Sequence, residues 1–268
     1  MKRISTFSEL IQIVNGQDCL LHKLLPLTHL PRQSSLSQIN YTRVLEPKEG
    51  SLHYEDEKLV FFSYGKAGFI PKSKANRRND IYPPLVFVFD LMKICDPDNQ
   101  PINPVRLLPF DSGGFSMYEM EDGFTPHHFE IPNPSDEDIK KLMIILFQSN
   151  ANYFENTFEF EKLVEEHLLI PELKELHILY TDAVKRNSEV DTRCKIFEIH
   201  FNKHIPLDPL CIFYPNSYTT APSGKTQLKM QYPGIPTRPY INHNDPIQNI
   251  NNINKALAKY FDKHLKAI

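Results

Sequence analysis

An α+β domain is what this sequence predicts, and three observations predict it. Short apolar runs of strand character recur in both halves of the chain, at Leu59–Ser63, Leu85–Leu91, Cys194–Phe201 and Pro209–Pro215. A block at about 135–186 carries its apolar residues at helical spacing instead, as does the last stretch of the chain. At 268 residues the chain can bury a substantial core, and all of it reads as one domain with a helical insertion.

The elements follow in order. Ser5–Val14 places Phe7, Leu10, Ile11 and Val14 on one helical face. Cys19–Leu25, CLLHKLL, reads as a strand carrying His22, and Ser34–Glu46 fits either element. Leu59–Ser63 and Leu85–Leu91 are strands, the second apolar enough to be covered on both faces. Between them lies a long loop with a Ser-Tyr-Gly turn, a Pro-Pro pair and the cations Lys66, Lys72, Lys74, Arg77 and Arg78. Val105–Pro109 leads into the turn signal Asp111-Ser112-Gly113-Gly114-Phe115.

Ser135 with Asp138 is an N-terminal capping arrangement. Ile139, Leu142, Met143, Leu146 and Phe147 then repeat as one helix, followed by helices expected at Phe158–Leu169 and Glu172–Lys185. In CKIFEIHF, Ile196, Glu198 and His200 share one strand face. Residues 216–252, rich in Pro and Asn, read mostly as loop, and Asn252–Ile268 as a helix with Ile253, Leu257, Tyr260, Phe261 and Leu265 in its stripe.

Composition narrows the function. The chain is 41% hydrophobic and 24% charged with a net charge of −3, so no global basic field marks it as a nucleic-acid binder. Its longest apolar runs fall far short of the ~20 residues of a membrane helix, and Glu9, Gln12 and Asn15 interrupt the first segment, unlike a signal peptide. Cys19, Cys95, Cys194 and Cys211 form no CxxC pair, which points to a reducing, cytoplasmic setting. Phosphate-loop, dinucleotide-fold, nucleophile-elbow and HExxH signatures are absent.

His200 and His204 would lie ~13 Å apart along a strand, a poor metal pair. His127-His128 lacks supporting ligands and reads as loop surface, and Asp90, Asp96 and Asp98 read as loop-capping residues rather than Mg²⁺ ligands. No metal is expected.

Three polar residues stand in apolar strand contexts. His22 fits a backbone-bonded core histidine as well as a ligand contact. Tyr64 fits packing or a ring-stacking role. Glu198 is the most informative: between Phe197 and Ile199, a carboxylate is rarely buried unless it is paired or working. A solvated face would make Glu198 and His200 ordinary, whereas a cleft would make them a site.

A histidine on the first strand, a tyrosine entering a loop and a glutamate on a late strand, in CLLHKLL, LVFFSYGKAGF and RCKIFEIHFNKHIPL, resemble the ADP-ribosyltransferase clan, the NAD⁺-consuming fold that includes many bacterial toxins. These pieces cover under a quarter of the chain. Lys23 and Leu24 follow His22 where the family has small residues, so His29 in PLTHLP competes for the first position. The family's tyrosine segment is usually followed by a helix, whereas 65–84 here is rich in Gly, Pro and charge.

The resemblance implies a central split sheet of short strands and transfer of ADP-ribose from NAD⁺ to a macromolecule. Glu198 would be the catalytic carboxylate, with His22, Tyr64, Lys66, Arg77 and Arg78 contacting NAD⁺. It implies a toxin of a toxin–antitoxin or phage-defence system, with a neutralising antitoxin protein as partner. The basic loop favours a nucleic-acid acceptor over a protein one. A non-catalytic interaction subunit, presenting the helices to a partner, is the competing reading.

Overall fold

The computed structural model describes residues 6–14, 16, 18–31, 33–49, 53–68, 84–115, 123–158, 163, 165, 170–186, 192–217, 224–243 and 245–266. The fold is α+β. Among these residues a nine-stranded, mostly antiparallel sheet forms the centre. Its strands in chain order are β1 (Leu27–His29), β3 (Lys48–Glu49), β4 (Lys58–Tyr64), β5 (Val86–Phe89), β6 (Arg106–Leu108), β7 (Ile131–Pro132), β8 (Glu198–Phe201), β10 (Cys211–Pro215) and β11 (Thr237–Tyr240). In space they run β11-β10-β5-β1-β4-β8-β6-β7, with β3 added to β4. A separate ribbon pairs β2 (Val44–Leu45) with β9 (Ile205–Pro206).

Both faces of the sheet are covered, which explains why VFVF of β5 is apolar at every position. Ile212 pairs with Phe87, so Phe87 and Phe213 point to opposite faces. Tyr232 packs edge-on against Phe87 at 5.5 Å. Tyr260, in the C-terminal helix, meets Phe213 at 5.6 Å. Each such ring removed from water contributes about 1.5–3 kcal/mol.

Seven α-helices lie among the described residues around this sheet: α1 (Gln33–Thr42), α2 (Ser112–Phe115), α3 (Asp136–Phe147), α4 (Asn150–Glu155), α5 (Pro171–Arg186), α6 (Gly224–Gln231) and α7 (Pro246–Tyr260). The expected cap is present on α3: Ser135 Oγ accepts from the Asp138 N–H while the Asp138 carboxylate takes the Ser135 N–H. Ile139, Leu142, Met143, Leu146 and Phe147 are its buried stripe. The C-terminal helix starts earlier than its stripe suggests, because Asp245 caps it and Pro246 opens it.

Four expectations need correction. Cys19–Leu25 is not a strand: Asp18–Leu21 is a 3₁₀ turn. Pairing begins only at Leu27, because the Leu25 N–H is taken by the Tyr64 hydroxyl at 2.9 Å and Pro26 has no N–H to give. The opening Phe7–Gln12 is 3₁₀ rather than α-helical. In CKIFEIHF, Thr192–Lys195 is a 3₁₀ turn and the strand starts at Glu198. Residues 216–252 are more ordered than their composition suggests, holding α6, β11 and the first half of α7. Pro239 is accommodated because β11 is the sheet's edge.

Most of the helix expected at Phe158–Leu169, and the loop at 69–83 with Lys72, Lys74, Arg77 and Arg78, lie outside the described residues. All four cysteines are free thiols. Among the described residues no helix is long and apolar enough to cross a membrane.

Candidate active site

The register of three central strands builds the site. Thr28 of β1 stands opposite Ser63 of β4, and Ser63 opposite Glu198 of β8. Directly opposed residues share a face, so a Thr-Ser-Glu row crosses the middle of the sheet. All three line a cavity of about 560 Å³, bounded also by His29, Phe61, Phe62, α1 residues Ser35, Gln38 and Ile39, and the 111–113 turn. That size accommodates a nucleotide-like molecule.

Glu198 is only 6% exposed. Its Oε2 accepts from the Ser112 N–H at 2.9 Å and lies 2.9 Å from His200 Nε2. Burial alone would raise the carboxyl's pKa, but the facing His200 imidazole and the Ser112 donors outweigh it, so the group is held below its ordinary value. The site therefore presents a carboxylate, not a carboxylic acid. The Ser112 N–H and His200 both bond Oε2, and the Ser112 hydroxyl also bonds the carboxylate.

Two glycines let a cation approach. Arg193 lines the same cavity with its side chain 2% exposed, 3.5 Å from Asp111. A Cβ on Gly113 would come 3.3 Å from the Arg193 guanidinium, and one on Gly114 would come 3.2 Å from the Arg193 Cβ. The Gly-Gly pair thus makes room for Arg193 in the cavity wall, beside the Asp111 carboxylate. Nothing in the composition of the strand marked Arg193; its place five residues before Glu198, opposite a Gly-rich turn, is the signal that was there to read.

The other predicted residues are dispersed. His22 is half-buried before β1 and is absent from the cavity lining; His29, its competitor, is on β1 and in the lining. His29 Nδ1 lies 3.0 Å from the Phe61 carbonyl, and burial lowers its pKa, favouring the neutral ring. Tyr64 is buried on the opposite parity to Ser63, its hydroxyl spent on Leu25, and burial pushes it far above the ordinary phenol range.

Lys66 is buried too. Its Nζ donates to Asn156 Oδ1 at 2.7 Å and to the Lys195 carbonyl at 3.3 Å, and it lies 4.1 Å from the centre of the Tyr153 ring. Burial, reinforced by nearby Lys195, sets its pKa well below the usual lysine value. Neither Tyr64 nor Lys66 lines the cavity. Arg77 and Arg78 lie outside the described residues.

Behind Glu198 is an ionic cluster. Arg106 of β6 pairs with Glu57 at 2.9 Å and Glu130 at 3.1 Å, and the Tyr54 hydroxyl donates to Glu130 at 2.8 Å. His127 Nδ1 is 2.7 Å from Glu130, while His128 helps cap its own 3₁₀ turn. Asp90 and Asp96 accept from nearby backbone N–H groups, as capping residues do. Among the described residues no group of three His, Cys, Asp or Glu side chains is placed to hold a metal ion.

No family model, no curated protein and no solved structure matches the chain.

Proposed function

We infer that the chain transfers ADP-ribose from NAD⁺ to a macromolecular acceptor, with Glu198 as the catalytic carboxylate. The observation that carries this reading is a buried carboxylate, kept ionised by His200 and Ser112, on the wall of a nucleotide-sized cavity. Breaking the nicotinamide–ribose bond sends its electron pair to the nicotinamide and leaves a cationic, oxocarbenium-like ribose. A fixed carboxylate stabilises that charge most where water is excluded. The acceptor's nucleophile then bonds to the ribose carbon and gives up its proton.

Support also comes from chain order. Thr28 on β1, Ser63 on β4 and Glu198 on β8 share one face of three adjacent strands, and the glutamate on a late strand beside them matches the clan's third position. His29 lines the cavity one residue beyond Thr28, on the other parity, and Ser63 stands where the clan has its tyrosine. An ADP-ribosyltransferase-like arrangement of the sheet is part of this proposal; of the two candidate histidines, His29 lines the cavity and His22 does not. Thr28 and Ser63 supply hydroxyls along the row, and Arg193 offers a cation to an anionic part of the ligand. The biological form we favour is a cytoplasmic toxin of a toxin–antitoxin or phage-defence system, restrained by an antitoxin protein.

The test is NAD⁺ turnover by the purified protein with bulk DNA, RNA and cell lysate, beside Glu198→Gln. Labelled ADP-ribose should appear on an acceptor and fall by at least about 10²-fold in the variant, the scale on which a transition-state charge contact acts. Absence of both NAD⁺ binding at millimolar concentration and label transfer would rule the reading out.

A further inference from the structure

Residues two apart on a strand point the same way but stand roughly 6.4–6.8 Å apart. Glu198 and His200 are such a pair, yet their side chains close to 2.9 Å, because the imidazole reaches back along the strand. That ring is fully buried and tightly caged. Phe61, its cross-strand neighbour on β4, meets it edge-on at 4.6 Å, and Tyr54 does so at 5.3 Å. On its other side Arg106, its cross-strand partner on β6, brings a guanidinium nitrogen to 3.3 Å from Nδ1.

The guanidinium decides where the ring's proton sits. Arginine only donates, so a neutral ring accepts from Arg106 at Nδ1 and carries its N–H on Nε2, donated to Glu198, and a protonated ring keeps that same Nε2–H. The opposite tautomer would set a donor against Arg106 and an acceptor against the carboxylate. Arg106 in turn cannot swing away, since Glu57 and Glu130 hold it and the Tyr54 ring lies under it at 4.3 Å.

We propose that His200 is the positioning residue of the site: its Nε2–H pins Oε2 of Glu198 and so fixes how the carboxylate is set in the cavity wall, and Arg106 fixes the orientation of the ring that does so. This deepens the reading of Glu198 as the catalytic group and rests on it for its catalytic consequence. The geometric claim about the carboxylate stands apart from any reaction. His200 itself does not line the cavity.

The experiment follows the Glu198 carboxyl carbon by ¹³C NMR through an acid titration, its signal assigned by its disappearance in Glu198→Gln. His200→Leu should raise the titration midpoint by about one unit or more, as loss of a donor to the charged form does. His200→Gln, whose amide N–H falls near the position of Nε2, should restore most of the difference. If the Leu variant fails to fold by circular dichroism, His200→Asn, too short to reach Oε2, takes its place. A folded variant of either kind that titrates as wild type overturns the proposal.

With NAD⁺ as the probe, the same variant should lose about 10²-fold in kcat with KM little changed, the signature of a misplaced group rather than a lost binding contact. A raised KM with unchanged kcat would count against positioning. Should the wild type leave NAD⁺ untouched, the transferase reading falls while the titration still decides the role of His200.

Discussion

Gly68 shows how little slack the cavity wall has. A Cβ there would stand 2.7 Å from Ser63 Oγ and 3.2 Å from an Asp111 carboxylate oxygen. The Gly68 N–H also bonds Ser63 Oγ at 3.2 Å, so the residue after the tyrosine turn serves as a lid on the Thr-Ser-Glu row. Gly68→Ala should cost about 1–3 kcal/mol in urea unfolding, the range of an overpacked site, and should displace the Ser63 hydroxyl, lowering NAD⁺ turnover beyond what stability explains. A variant as stable and as active as wild type would mean that the 65–68 segment simply yields. Of the residues read from the sequence, Glu198 was legible because a carboxylate between Phe197 and Ile199 demands a partner. Tyr64 was not, for a reason of register. Ser63 stands opposite Glu198; a slip by one residue would put Tyr64 in the row instead, and no single strand encodes which it is.

At the scale of elements, α4 is tied to two strands through one phenol. The Tyr153 hydroxyl donates to the Tyr64 carbonyl at 2.8 Å and accepts from the Phe197 N–H at 3.0 Å, both buried. It completes the backbone bonding of β4 and β8 beside the site. Tyr153→Phe leaves the buried Phe197 N–H unpaired, while the Tyr64 carbonyl keeps the Lys66 N–H, so it should lower stability by about 1–3 kcal/mol, measured by urea unfolding. A loss near zero would show that the strands close on each other without it. Two helices of the 135–186 block, α3 and α5, were legible because their apolar spacing and the Ser135 cap state themselves locally, whereas the short α4 was not expected. The first strand was not, because Cys19–Leu25 has the right composition, and only the distant Tyr64 hydroxyl and Pro26 determine that pairing starts two residues later. Residues 216–252 misled for a related reason: prolines read as loop until β10 offers them an edge.

For the molecule as a whole, the buried carboxylate predicts how acid unfolds it. The folded state holds the Glu198 pKa below its ordinary value of 4.5, so it favours the charged form. Glu198 thus stabilises the fold fully above that ordinary value, and the contribution disappears as pH falls through the lower folded one. Replacing it with Gln removes this dependence. The stability difference between wild type and Glu198→Gln, from urea unfolding at pH 7 and again near pH 3, should therefore shift in favour of the variant in acid. A difference that stays constant across that range would mean that the carboxylate gains nothing from its neighbours.

The sheet order has one further consequence, in time rather than in space. β1 and β4 come from the first quarter of the chain, but β8, which completes their row, comes from its last third. Pairing across such long sequence separations is slow, because the intervening chain must be closed before any contact rewards it. A ribosome delivers the N-terminal strands first, so a nascent chain carries the threonine and the serine of the row while its glutamate is still unmade or unpaired. If the protein is the toxin proposed here, its synthesis includes a built-in delay: the chain is harmless to the cell that makes it until the late strand docks, and that interval is when a neutralising partner has the most to gain by binding.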